Sequence, residues 1–246
     1  MAYFAFKCYR NMNVIVGKLR DELIRNANPI TKEAGERFFR EKVNLYGLKA
    51  AQIKNISNAH YKAIADKSKE NIFALCEELF RSGIMEESLV ACTWSYNIRK
   101  QFNSSDFQLF EEWVNNYVNN WATCDTLCNH TVGTFIEMYP DYIESLKRWA
   151  HSRNRWMKRA SAVSLIVPAK KGMFLNDIFE IADILHSDSD DMVQKGYGWM
   201  LKVASQAHQK DVFDYVMKKK ATMPRTALRY AIEKMPPELR ARAMAR

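Results

Sequence analysis

The chain has 246 residues, 48% hydrophobic and 26% charged, proportions that suit a globular protein and exclude disorder or a collagen-like repeat along its whole length. Glycine (8) and proline (6) are scarce, at about half their usual share, which leaves too few turn residues for an all-β fold. The net charge of +9 is lopsided: residues 1–140 hold 17 Lys/Arg against 16 Asp/Glu, whereas residues 141–246 hold 20 against 12, so the second half would meet a polyanion, unless the excess is only a solvated surface.

Hydrophobic periodicity predicts helices over roughly 12–26, 31–42, 47–64, 68–82, 86–102, 106–119, 122–137, 139–151, 154–168, 173–185, 190–207, 210–220, 224–234 and 236–245. Asn28-Pro29, Pro140, Pro168, Pro224 and Pro236-Pro237 punctuate helix ends, and Tyr46-Gly47 reads as a turn before a helix. The run Ser187-Asp188-Ser189-Asp190-Asp191 reads as an N-terminal cap for the helix that follows. No alternating strand pattern competes. Short helices in pairs, recurring every 30 to 45 residues or so, predict an all-α solenoid of stacked helical hairpins, HEAT-like in logic, with one long concave surface. No linker interrupts the pattern, so one domain over 1–246 is expected.

Five cysteines, Cys8, Cys76, Cys92, Cys124 and Cys128, are odd in number and widely spaced, which argues against a disulfide framework. Cys124, Cys128 and His130 lack a nearby fourth ligand, so neither a metal nor another cofactor is expected. Met1 to Phe6 is too short for a signal-peptide core and no apolar run reaches membrane-spanning length. With reduced cysteines, this predicts a cytoplasmic protein, nucleoid-associated in a bacterium, without a membrane partner.

Three helical segments carry unusual residues. In the first, Trp121 and Asp125 are four apart and share a helix face, beside an apolar stripe of Cys124, Leu127, Cys128, Thr131 and Phe135. Taken alone, these residues are explained by core packing for Trp121 and a cap or ion pair for Asp125. In the second, Arg159 borders the inward stripe formed with Val163, and Arg155 and Lys158 extend a basic edge. A guanidinium there needs a fixed carboxylate, Asp125 among the candidates, or a phosphate. In the third, Trp199 lies at the seam between the core side and a basic edge of Lys195 and Lys202. Gly196 and Gly198 beside it mark close helix packing or close approach of a ligand. Further on, Arg225 and Arg229 are four apart after Pro224 and could track a phosphate backbone, while Lys218-Lys219-Lys220 reads as a solvated helix end.

Together, the helical-hairpin pattern, Trp121…Asp125, the Arg159 helix, Gly198-Trp199 and the segment from Arg225 to Lys234 resemble the AlkD-like DNA alkylation repair family, over most of the chain from about Phe38. The resemblance implies a HEAT-like fold whose concave surface cradles duplex DNA, and metal-free excision of cationic N3- or N7-alkylated purines. It assigns Trp121, Asp125 and Trp199 to the lesion, with Asp125 as the catalytic carboxylate, and Arg159 to support of the site. Lys202 stands where the family often has arginine, keeping the charge without the bidentate fork. Arg155, Lys158, Lys195, Lys202, Arg225 and Arg229 are then candidate DNA contacts, on a protein expected to act as a monomer.

The residue types suit that chemistry. A cationic alkylpurine is already a good leaving group, so no general acid is needed, and cleavage leaves an oxocarbenium-like sugar. One carboxylate can stabilise that charge and orient water, and indole faces attract a cation. Two other readings stay open: a noncatalytic DNA-binding member of the same fold, favoured by Lys202, and a helical scaffold for an acidic protein.

Overall fold

The computed structural model describes residues 2–245, with side chains from Val14 onward, so the Cys8 side chain lies outside the described residues. The chain forms two compact units, Met1–Leu127 and Cys128–Arg246. The first contains α1 (Ala2–Arg25), α2 (Pro29–Phe38), α3 (Ala50–Ala63), α4 (Lys69–Arg81), α5 (Met85–Asn97), α6 (Asp106–Tyr117) and α7 (Trp121–Thr126). A π-helical segment, Leu127–Val132, follows α7. The second contains α8 (Gly133–Met138), α9 (Ile143–Ala150), α10 (Arg155–Val163), α11 (Ile166–Lys170), α12 (Leu175–Leu185), α13 (Asp191–Ala207), α14 (Gln209–Lys219), α15 (Arg225–Ile232) and α16 (Pro237–Met244). Among the described residues there is no strand, only an isolated parallel bridge between Asn44 and Ile84.

The start signals act as the sequence predicts. Asn28 Oδ1 accepts the Thr31 N–H at 2.9 Å, with Pro29 as the first helical residue, where a missing N–H is harmless. Asn120 and Asn154, which the periodicity does not single out, cap α7 and α10 in a similar way. Asp190 caps α13, accepting from the N–H groups of Met192 at 2.8 Å and Val193 at 3.3 Å.

Several boundaries differ from the periodicity. The stretch 154–168 is two helices, α10 and α11, parted at Ser164-Leu165. Pro168 explains the break: in one continuous helix its ring would clash with the Ser164 carbonyl. Instead Pro168 falls in the first turn of α11, where no N–H is missed. The helix expected over 47–64 begins only at Ala50, because Gly47 holds φ +94°. The stretch 122–137 is interrupted by the π segment, 31–42 ends at Phe38, and 86–102 ends at Asn97 before a 3₁₀ turn.

In the first unit, the core is aromatic: Trp94, Trp113, Phe80 and Phe110 are fully buried. Phe73 meets Trp113 edge-on at 5.5 Å between centroids, a favourable quadrupole geometry. Two buried acids on α5 pin the loop before α3. Glu86 accepts from the N–H groups of Tyr46 (3.1 Å), Gly47 (2.8 Å) and Leu48 (3.2 Å). Glu87 accepts from the Tyr46 hydroxyl at 2.7 Å and Arg20 Nε at 2.9 Å. These bonds compensate the desolvation of two carboxylates that would otherwise be costly.

In the second unit, α13 is the central element. It packs against α10, α11, α12, α14 and α15, and Tyr197, Met200 and Leu201 are fully buried. Its glycines permit the close approach their sequence suggests. A Cβ on Gly198 would stand 2.7 Å from Tyr230 Cβ and 2.9 Å from the Ala227 carbonyl oxygen of α15. Gly133, likewise, lets α8 approach the Ser164 carbonyl, 2.7 Å from where its Cβ would be.

Candidate functional site

Trp121 is the first residue of α7 and Asp125 follows one turn later. Cys124 and Leu127 are fully buried beside them, which fixes the rotation of the helix. Asp125 is buried, with 9% of its surface exposed. Trp121 is half-buried and does not pack in the core as a fully buried indole would. Phe39 stacks on it, centroids 5.4 Å apart at 28°, and Phe38 meets it edge-on at 5.8 Å. Phe38 itself is 69% exposed. The first unit thus gathers three aromatic rings, Phe38, Phe39 and Trp121, the last on the helix that carries Asp125. The periodicity of the sequence held no sign that Phe38 and Phe39 would meet Trp121.

Arg159, Trp199 and the six candidate DNA contacts lie in the second unit. Arg159 is 5% exposed, and its Nη1 donates to the Met192 carbonyl at 2.6 Å. Its stem lies against α13 where Gly196 has no side chain: a Cβ there would be 3.2 Å from Arg159 Cγ. The sequence leads one to expect a carboxylate or a phosphate at this guanidinium; the partner of Nη1 is instead the backbone carbonyl of Met192, in the first turn of α13. Trp199 is half-buried on α13, at the seam its position on the helix predicts.

The basic edge is engaged internally. Arg155 pairs with Asp190: Nη2 donates to Oδ1 at 2.9 Å, and Nε lies 2.9 Å from Oδ2 without hydrogen-bond geometry. Lys158 pairs with Asp188, and Lys195 with Asp191 at 2.8 Å. Lys202 pairs with Glu233 at 3.1 Å and lies 5.4 Å from the Tyr230 ring centroid. Arg225 and Arg229, by contrast, are exposed on α15 and carry no ion pair among the described residues. The run 218–220 is not simply solvated: Lys219 pairs with Asp183 at 2.8 Å, and Lys220 donates to the Ala245 carbonyl at 2.9 Å.

One titratable group near Asp125 in sequence is perturbed. The His130 ring keeps an exposed edge, yet the protein around it desolvates the imidazole and lowers its pKa below the ordinary 6.5. Cys124 and Cys128 are buried in the core, and no group of three or more His, Cys, Asp or Glu side chains able to hold a metal occurs among the described residues. No helix among them is long and apolar enough to cross a membrane.

No curated protein matches the chain. A solved structure described as a predicted DNA alkylation repair enzyme from Enterococcus faecalis is similar to it, with a TM-score of 0.75 at 15% identity, covering 86% of this chain and 98% of that one. At that identity the likeness shows the fold, all-α and built from stacked helices as the periodicity predicts. The family model for DNA alkylation repair enzymes matches residues 19–235. With so much of its length matched, the chain belongs to the family of DNA alkylation repair enzymes.

Proposed function

We propose that the protein is a monofunctional DNA glycosylase that excises cationic N3- or N7-alkylated purines from duplex DNA. The observation that carries this reading is the placement on α7, one turn apart, of a carboxylate that is 9% exposed, Asp125, and a half-buried indole, Trp121, against which Phe38 and Phe39 pack. An indole face attracts a cationic base by about 0.5–2 kcal/mol. Asp125 stabilises the sugar cation as the C1′–N bond breaks. The bonding electrons leave with the base and neutralise its positive charge. Water then adds to C1′, its proton passing to the carboxylate or solvent, and leaves an abasic site and a free base. Trp199 offers a second indole, Arg159 a fixed cation for backbone phosphate, and the basic residues of the second unit the salt-dependent attraction to DNA. Neutral lesions gain little from such a set.

The test is release of free 7-methylguanine and 3-methyladenine from methylated duplex DNA. Asp125→Asn keeps the shape and removes the charge, and its release rate falls by about 10²–10³, the usual cost of losing one preorganised charge stabiliser. Duplex affinity stays near that of the unmodified protein. Excision by Asp125→Asn at the original rate would remove Asp125 from the chemistry. One observation favours a second reading, a noncatalytic DNA-binding protein: Lys202, where the resemblance leads one to expect arginine, is paired with Glu233. Salt-dependent duplex binding without release of either base would establish that reading.

A further inference from the structure

The three acids of one short segment each hold a cation of the basic edge. Asp188 and Asp190 lie between α12 and α13, and Asp191 opens α13. Their partners are Lys158, Arg155 and Lys195 respectively. The segment is itself fastened: Asp188 Oδ1 accepts the Asp190 N–H at 2.8 Å, Gln194 Nε2 donates to the Asp188 carbonyl at 2.9 Å, and Asp190 caps α13. The pairs are partly shielded from solvent, with side-chain exposures of 21% for Lys158 and 14% for Asp188. Arg155 holds Asp190 by one charge-assisted hydrogen bond, Nη2 to Oδ1, the kind of bond a guanidinium also makes to a phosphate oxygen. Three cations and three carboxylates leave this edge with no net charge, although it lies in the more basic half of the chain.

We propose that the segment 188–191 is an autoinhibitory phosphate mimic: its carboxylates occupy Arg155, Lys158 and Lys195, and duplex phosphate must displace them to use these residues. The inference rests on the duplex-binding part of the proposed function. Binding to undamaged DNA is weakened, because every phosphate contact on this edge first costs an ion pair. Of the named candidates, Arg225 and Arg229 then make the initial contact.

The variant Asp188→Asn/Asp190→Asn/Asp191→Asn removes three charges while keeping the cap, since asparagine caps as well as aspartate. Retention of helix content in circular dichroism checks that it folds. Each freed phosphate contact adds about 0.9 to the slope of log affinity against log salt, so the slope steepens by up to about 2.7. Between 50 and 200 mM salt that is an additional loss of affinity of about 40-fold. Lys158→Gln, made in both backgrounds, separates displacement from a general change of field. In the triple variant Lys158→Gln lowers the slope by about 0.9, and in the unmodified protein, where Asp188 competes for the lysine, it lowers the slope by less. An unchanged slope in the triple variant, or an equal effect of Lys158→Gln in both backgrounds, overturns the mimic. Base release by the unmodified protein together with either result would leave the glycosylase reading standing and refute this one alone. Absence of salt-dependent duplex binding in both backgrounds would refute both.

Discussion

Gly198→Ala sets two effects of opposite sign against each other, and the structure decides between them. In a helix interior alanine is favoured over glycine by up to about 1 kcal/mol. At Gly198, however, the new Cβ would meet Tyr230 Cβ at 2.7 Å, the Ala227 carbonyl oxygen at 2.9 Å and Ala227 Cα at 3.1 Å. None of these is the free end of a flexible side chain, so relief requires α15 to move away from α13 as a body. Overpacking of this kind costs about 1–3 kcal/mol, and with backbone atoms as the obstacle the upper part of that range applies. The net expectation is a loss of about 1–2 kcal/mol, seen as a melting temperature lowered by about 2–8 °C for a chain of this size. Gly17→Ala is the companion measurement. Gly17 lies inside α1, and a Cβ there meets nothing within 4 Å, so propensity acts alone and the melting temperature rises by about 2–4 °C. Thermal unfolding followed by circular dichroism reads both. If Gly198→Ala is stabilised as Gly17→Ala is, then α15 yields without cost and the close approach is not a constraint on the fold.

The other expectations are brief. Glu86→Gln replaces an acceptor of three N–H groups with a side chain that has one acceptor and a donor facing them; denaturant titration should show a loss of about 1.5–3 kcal/mol, and an unchanged midpoint would show that the loop before α3 does not depend on it. His130, whose pKa is lowered, favours its neutral form in the folded state. Its contribution to stability is therefore full above the unfolded value of 6.5 and is lost as the pH falls from there through the folded value. NMR titration should place its midpoint below that of a solvated histidine, and His130→Gln should flatten this part of the stability profile. The exposed pair Arg225→Ala/Arg229→Ala should lower the salt slope of duplex binding by up to about 1.8, if both touch phosphate, with helix content intact; an unchanged slope would take α15 out of the interface.

What the sequence made legible follows the range of the interactions involved. Helix starts at Asn28 and Asp190 depend on groups two or three residues away, and they could be read directly. Gly198 was legible as a close-approach signal, although its partner α15 was not. The break at Ser164-Leu165 was missed by periodicity because Pro168 acts four residues upstream of itself. Phe38 at the end of α2 meets Trp121 edge-on and Phe39 just beyond it stacks on the indole, and no local pattern reports that. The ion pairs between α10 and the segment before α13 span 30 residues or more, so a count of charges along the chain could not anticipate them.

That last point changes how the basic second half of the chain should be understood. A net excess of cations describes a long-range field, which screening confines to about 10 Å at ordinary salt. Binding depends on which cations stand within that distance of phosphate and what already occupies them. Arg155, Lys158, Lys195 and Lys202 each face a carboxylate, so for them DNA phosphate competes with an existing partner. Arg225 and Arg229 face solvent from α15, the helix that Gly198 allows to lie close on α13. The same helix supplies Tyr230, and Glu233 follows at its end, the two groups that fix Lys202. Packing between α13 and α15 therefore governs both kinds of cation: it carries the exposed arginines into position and places the carboxylate that restrains the lysine beside Trp199.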